Sequence, residues 1–320
     1  MRRFLLATFL AIAAIEQPLL LGRESNINTA AEMLTTPEIA EAKTALFYYK
    51  QGNEKIKLGD YQGAIADFSK SIELNPNVFP AYFSRGVAKL ELGDYPGSTE
   101  DFNKAIELNP KLFQAYYNRG FTKAKLGDYR EAIEDHNKAI ELNPNFEQAY
   151  VNRGNAKEKL GDYQGAIDDH NKAIELNPDY AVAYSNRGNA KGNLGDYPGA
   201  IEDFNQAIEL NPDDAVAYYN RGNAKENLGD DQGAIDDHNK AIELNPNFEQ
   251  AYVNRGDSKD NLGDYQGAID DYNKAIELNP DEAVAYSLRG STKNNIGDLL
   301  GAIEDLNKAI ELNPKLFQAY

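Results

Sequence analysis

Apolar positions recur along most of this chain at helical spacing, in short stretches broken by glycine or proline. Residues 149–182 are typical. No proline interrupts them before Pro178, and Gly161-Asp162 divides them in the middle. That order predicts helix, turn, helix, turn, with Asp162 placed to cap the second helix. In two sister segments a proline, Pro96 or Pro198, follows the break, where the first turn of a helix tolerates it. Along the second helix Ala166, Ala173 and Leu176 share a face, and the small alanines let a neighbouring helix come close. A two-helix unit cannot bury that face by itself, so the units must stack.

A shift of the sequence against itself by 34 residues puts Tyr48, Tyr82, Tyr116, Tyr150, Tyr184, Tyr218, Tyr252 and Tyr286 in register. A glycine stands four residues after each tyrosine, and every repeat carries Gly-Asp and Asn-Pro. The reading is an all-α solenoid of eight repeats over 47–318: 47–80, 81–114, 115–148, 149–182, 183–216, 217–250, 251–284 and 285–318. Residues 319–320 open a ninth first helix with no polar helix to cover the eighth repeat. Upstream, Thr36-Pro37-Glu38 is a helix start that runs into the first repeat, so residues 23–46 read as a polar linker and a lead-in helix. Asp135 to Gly154 is identical to Asp237 to Gly256, three repeats later, which points to duplicated blocks and a uniform surface.

Composition narrows the function. The 51 acidic against 33 basic side chains give −18, which repels phosphate backbones and weighs against nucleic acid as a partner. With no cysteine, disulfides, thiolate metal sites and thiol nucleophiles are excluded, while the compartment stays open. Residues 1–22 supply the compartment expectation: Arg2 and Arg3 precede an apolar run from Phe4 to Ile15 containing Ala11-Ile12-Ala13. This reads as an export signal, leading to a periplasm or thylakoid lumen, or as an uncleaved anchor bringing residues 4–21 to a membrane. The alternative is an apolar leader helix packed on the first repeat of a cytoplasmic protein.

The tyrosine, glycine, Gly-Asp-Tyr, paired alanines and proline at these offsets resemble the tetratricopeptide repeat family, from Phe47 to Gln318. Asn-Arg-Gly-Asn-Ala-Lys, with Gly-Ala-Ile-Asp-Asp and Lys-Ala-Ile-Glu-Leu-Asn-Pro, is similar to a bacterial subclass common in photosynthetic species. The resemblance implies a right-handed superhelix whose first helices line a concave, partner-holding groove. One feature departs from the family pattern. On the tyrosine side of the first helix, arginine recurs in seven repeats (Arg85, Arg119, Arg153, Arg187, Arg221, Arg255, Arg289) and lysine in all eight, from Lys55 to Lys293. Aspartate recurs on the alanine face of the second helix (Asp67, Asp101, Asp135, Asp169, Asp203, Asp237, Asp271, Asp305). Buried charges need partners, so a repeating ion-pair ladder inside the stack is predicted.

Opposite that side, the helical wheel gathers Val151, Asn152, Asn155 and Glu158 on the stripe that should face the groove. Asn118, Asn152, Asn186, Asn220 and Asn254 share one place in successive repeats, and Asn155, Asn189 and Asn223 stand one turn on. An amide both donates and accepts, so such a row suits an extended peptide backbone. The alternative is a solvated surface copied by duplication. A similar asparagine row lines tetratricopeptide grooves, including that of the O-linked N-acetylglucosamine transferase. Tyr117, Tyr219 and Phe83 are candidate side-chain anchors beside it. The family's chaperone-binding clamp wants a lysine near the first asparagine of a triplet, and none stands there.

His136, His170 and His238 occupy a place filled elsewhere by Phe68, Phe102, Phe204, Tyr272 and Leu306, so they read as packing residues and no metal site is expected. Asp230-Asp231 lacks calcium-loop spacing and reads as cap and solvated turn. No nucleophile-base arrangement or phosphate-cradling loop appears, so neither catalysis nor a cofactor is expected. The expectation is a non-catalytic scaffold for a protein or extended peptide segment. Two alternatives stay open: end-to-end self-association through the last repeat, and the targeting arm of a larger enzyme.

Overall fold

The computed structural model describes residues 37–315, so the leader and linker expectations for 1–36 and the opening helix at 319–320 lie outside the described residues. Among the described residues the structure is all-α: sixteen helices in paired helix-turn-helix repeats. They fall into two compact units. The first, Met1–Gly161, holds α1 (Pro37–Lys57), α2 (Tyr61–Leu74), α3 (Phe79–Glu91), α4 (Tyr95–Leu108), α5 (Phe113–Leu126), α6 (Tyr129–Leu142) and α7 (Glu147–Lys159). The second, Asp162–Tyr320, holds α8 (Tyr163–Leu176), α9 (Ala181–Asn193), α10 (Tyr197–Leu210), α11 (Ala215–Asn227), α12 (Asp231–Leu244), α13 (Glu249–Asn261), α14 (Tyr265–Leu278), α15 (Ala283–Asn295) and α16 (Leu299–Leu312). Among the described residues no helix is long and apolar enough to cross a membrane.

Each boundary has a local cause. The glycines that close the first helices sit at φ between 76° and 90°, which a side chain disfavours. The next residue is the aspartate that caps the second helix: Asp162 accepts from the backbone N–H of Gly165 at 2.9 Å. That glycine is needed because a Cβ there would lie 2.2 Å from Asp162 Oδ2. In α6 Glu131 occupies the glycine's place, and Asp128 makes no capping bond.

Within each unit the second helix presents alanines to the helices on either side. In the first unit Ala64, Ala132 and Ala139 are fully buried; in the second, Ala166, Ala173, Ala234 and Ala241 are. Within the units a ring lies on the glycine of the paired first helix, and in the last repeat Leu306 takes its place. A Cβ on Gly52 would meet Phe68 at 2.6 Å, and one on Gly188 would meet Phe204 at 2.8 Å. Backbone and ring are therefore in direct contact, and the helices pair closely.

The recurring charges lock this packing. Arg85 holds Asp101 with two bonds, Nε to Oδ2 at 2.9 Å and Nη2 to Oδ1 at 2.6 Å, while Lys89 Nζ stands 2.8 Å from Oδ2. Arg119 with Lys123 holds Asp135 in the same way. In the second unit Arg187 with Lys191 holds Asp203, Arg221 with Lys225 holds Asp237, Arg255 with Lys259 holds Asp271, and Arg289 with Lys293 holds Asp305. Each arginine also reaches backward with Nη1 to the preceding repeat's second helix. Arg119 donates to Asn103 at 2.7 Å, Arg153 to Asn137 at 2.6 Å, Arg187 to Asn171 at 2.7 Å, Arg221 to Asn205 at 2.7 Å and Arg255 to Asn239 at 2.6 Å. Its guanidinium lies over the signature tyrosine of its own helix, 5.4 Å from the Tyr184 ring centre for Arg187. Asp169 is buried like its counterparts. In the first repeat Gln51 replaces the arginine, and Lys55 alone meets Asp67, at 2.7 Å.

Asp237→Ala leaves the Arg221 and Lys225 charges facing a buried place without a carboxylate. The expected loss is about 3–5 kcal/mol, read as a lower urea midpoint. An unchanged midpoint would refute the locking role. At Asp305 burial works against the carboxylate, but hydrogen bonds from Arg289 and Lys293 outweigh it and hold its pKa below the usual range. A depressed folded-state pKa stabilises above the unfolded value of about 4 and is lost as pH falls through the folded one. The unfolding midpoint of the wild type is therefore expected to drop on acidification below about pH 4, more steeply than that of Asp305→Asn.

Candidate functional site

In the second unit the first helices α9, α11, α13 and α15 touch in sequence, and the first three carry the asparagine row. The amides face one another as well as solvent. Asn220 Nδ2 donates to Asn189 Oδ1 at 3.0 Å, and Asn254 Nδ2 to Asn223 Oδ1 at 2.7 Å, each bond joining neighbouring repeats. Asn254 Nδ2 also lies 3.3 Å from Tyr219 Oη. Asn186, Asn189, Asn220, Asn223 and Asn254 are all half-buried. An asparagine that gives one N–H to its neighbour keeps a second N–H and lone pairs of its carbonyl oxygen. The row is thus cross-linked and still has hydrogen-bonding capacity. Tyr219 is half-buried, its ring 4.8 Å from that of Phe248 and 5.7 Å from that of His238.

The first unit corrects part of the expectation. Phe83, read as an exposed anchor, is fully buried in a cluster with Val87, Phe102, Ala105, Leu112 and Ala115. Tyr117 packs edge-on against Phe146 at 4.8 Å and beside His136 at 5.8 Å, and Asn118 is buried with it. One turn along these helices apolar residues stand in the asparagine's place: Val87 is buried in the same cluster as Phe83, and Phe121 is half-buried with Lys125 over its ring. Asn152 is half-buried and its Nδ2 has no acceptor; Asn155, also half-buried, is engaged in a contact of its own.

Beside the row, repeats six and seven carry a polar set that a single helical wheel does not reveal. His136, His170 and His238 are all fully buried on the alanine face. His238 does more than pack: its Nε2 lies 3.3 Å from Glu226 Oε1, the same oxygen that accepts from Ser258 Oγ across the repeat boundary. Asp257 stands in the column of Asn189 and Asn223, and Asp260 in that of Glu226. Although Asp257 reaches solvent, loss of hydration and the nearby charges of Glu226, Asp260 and Asp231 raise its pKa. Asp230 caps α12 at Gly233, while Asp231, expected as a solvated turn residue, accepts from Asn261 Nδ2 at 3.0 Å. The sequence signal was the replacement of asparagine by aspartate at 257.

Comparison with protein families settles the lineage. A family profile described as tetratricopeptide repeat matches residues 45–78, 113–146, 147–180, 215–248 and 249–282, more than half of the chain. The chain belongs to the tetratricopeptide repeat family. Further tetratricopeptide profiles match 88–127 and 193–229, 171–202, and 283–316. No curated protein matches. Among solved structures, the MamA protein is 26% identical over 54% of this chain and 94% of its own, with a TM-score of 0.50. A tetratricopeptide repeat protein from Parabacteroides merdae matches 79% of this chain and 100% of its own at 21% identity and TM-score 0.63. The APC/C hetero-tetramer Cut9–Hcn1 matches 79% of this chain and 50% of its own at 20% identity and TM-score 0.61. At such identity these last two speak for the fold alone. Tetratricopeptide proteins are typically protein-binding scaffolds and generally non-catalytic, and no catalytic domain is identified here.

Proposed function

We propose that this tetratricopeptide chain is a non-catalytic scaffold that holds an extended segment of a partner protein during assembly of a complex. The single observation that carries it is the asparagine row of α9, α11 and α13, in which amides of neighbouring repeats are pre-oriented by bonds to one another and retain hydrogen-bonding capacity. Alternating N–H and C=O groups of an extended backbone match that capacity without reading side chains. Half-burial and cross-linking reduce the side-chain entropy lost on binding. Export, or anchoring through residues 4–21, belongs to the same proposal and rests on the leader sequence alone.

The test is a pull-down that compares the wild type with Asn186→Ala, Asn220→Ala, Asn254→Ala combined. Recovered proteins should fall at least severalfold while the melting temperature shifts by only a few degrees. Equal recovery by both sinks the groove reading.

A second reading, self-association, is favoured by α16. Leu300 is 78% and Ile303 56% exposed, with Leu299 and Ile310 beside them also exposed. Glutamine, proline or arginine stands at the place of Leu300 in earlier repeats, and the isoleucines matching Ile303 are half-buried or buried there. An apolar stripe of this kind suits a helix of a second copy. Light scattering should then show mass rising with concentration, and Leu300→Gln with Ile303→Lys should abolish the rise. A constant monomer mass for the wild type removes this reading.

A further inference from the structure

We propose that Glu226, Asp257 and Asp260 form a seat for a lysine or arginine side chain of the extended segment held by the neighbouring asparagines. The inference rests on the groove reading above and names the chemistry of its partner.

The carboxylates of Glu226, Asp231 and Asp260 are all close enough to Asp257 for their charges to act on it. Among the described residues none of Glu226, Asp257 and Asp260 is paired with a lysine or arginine. The nearest cations in sequence, Lys225 and Lys259, are committed to Asp237 and Asp271 on the other side of their helices. Glu226 is partly neutralised by Ser258 and His238, and Asp231 by Asn261. Asp257 and Asp260 have no such partner.

The second observation lies underneath. A Cβ on Gly222 would meet the His238 ring at 2.6 Å, and from that seat the imidazole reaches Glu226, one turn along α11. The next repeat keeps the register: a Cβ on Gly256 would meet the Tyr272 ring at 2.7 Å, and Asp260 stands one turn along α13. Here no bond closes. Tyr272 is fully buried and its hydroxyl has no hydrogen-bond partner; Thr292 stands beside it but turns its own hydroxyl to the carbonyl of Leu288. Asp260 Oδ1 is likewise buried and unpartnered. The charges of Asp257 and Asp260, together with burial, push the phenol's pKa up, which places its hydroxyl within their electrostatic reach.

Two orphaned polar atoms beneath a set of carboxylates call for a donor that carries charge. Buried polar groups without partners are costly, and an ammonium or guanidinium brings several N–H groups at once. Among the described residues no three histidine, aspartate or glutamate side chains converge as a metal ion requires, so the geometry favours an organic cation. Its place is fixed by the column: Asp257 continues the line of Asn189 and Asn223 into the next repeat, so a segment lying on the amides passes over it. The net charge of −18 draws such a segment in.

The full chain is panned against a phage-displayed library of random linear peptides, and an enriched peptide is made with a fluorescent label for anisotropy. Lysine or arginine should recur at one position of the enriched set. Changing that residue to glutamine should weaken binding by about tenfold to the wild type, with little effect on binding to Asp257→Asn/Asp260→Asn. The effect should shrink at high salt, and the double variant should melt no lower than the wild type because like-charge repulsion is removed. Enriched peptides without a recurring cation, or a cation whose loss costs both proteins the same, overturn the seat and leave the groove standing. No enriched peptide at all refutes the groove, and the seat with it. Saturable calorimetric binding of calcium chloride that the double variant loses overturns the proposal in favour of an inorganic ion.

Discussion

The arginine that recurs in seven repeats is the constraint on which the rest of the molecule depends. A charged group within a stack of helices is tolerated only when its donors are taken up, and here every face of the guanidinium has an occupant. Two nitrogens hold the aspartate of its own repeat, a third reaches an asparagine of the repeat before, and the plane lies over a tyrosine. The fork geometry ties two second helices to the first helix between them. A lysine in the same place would supply the charge without that three-way geometry.

Once those helices are pinned, the rest of each repeat has little freedom. The glycine on the first helix must remain bare because a ring rests on its Cα, and the alanines must stay small because the next helix crosses them. The outward stripe of the first helix is under no such demand. Variation therefore collects there, as with Ser185, Tyr219 and Ser287, which share one half-buried place, and a surface that tolerates variation over a rigid frame is where selectivity can be built.

Much of this was legible in the chain itself. The period, the helix pairing, the capping aspartates and the opposite charges of the two helices follow from register and a helical wheel, because they concern one repeat or identical neighbours. What escaped concerns differences between neighbours. A wheel shows Phe83 on the outward stripe, but only its surroundings show that Val87 and Phe102 bury it. It shows Asn220 and Asn189 as separate surface amides, but not that helices side by side bring them to 3.0 Å. The backward reach of arginine to asparagine, and the convergence of Glu226, His238 and Ser258, likewise need three helices in place at once.

The backward bond also bears on how such a chain grows. From the second repeat on, each carries both halves of the joint, an arginine that reaches back and an asparagine at the place that receives the arginine of the next, so an inserted block arrives already matched at its two ends. Duplication then adds length without waiting for compensating substitutions. The verbatim recurrence of Asp135–Gly154 at Asp237–Gly256 spans the receiving asparagine, Asn137 or Asn239, and the arginine that bonds to it, Arg153 or Arg255. The duplicated text is the joint itself, and reach is the property that heredity can adjust most cheaply in this molecule.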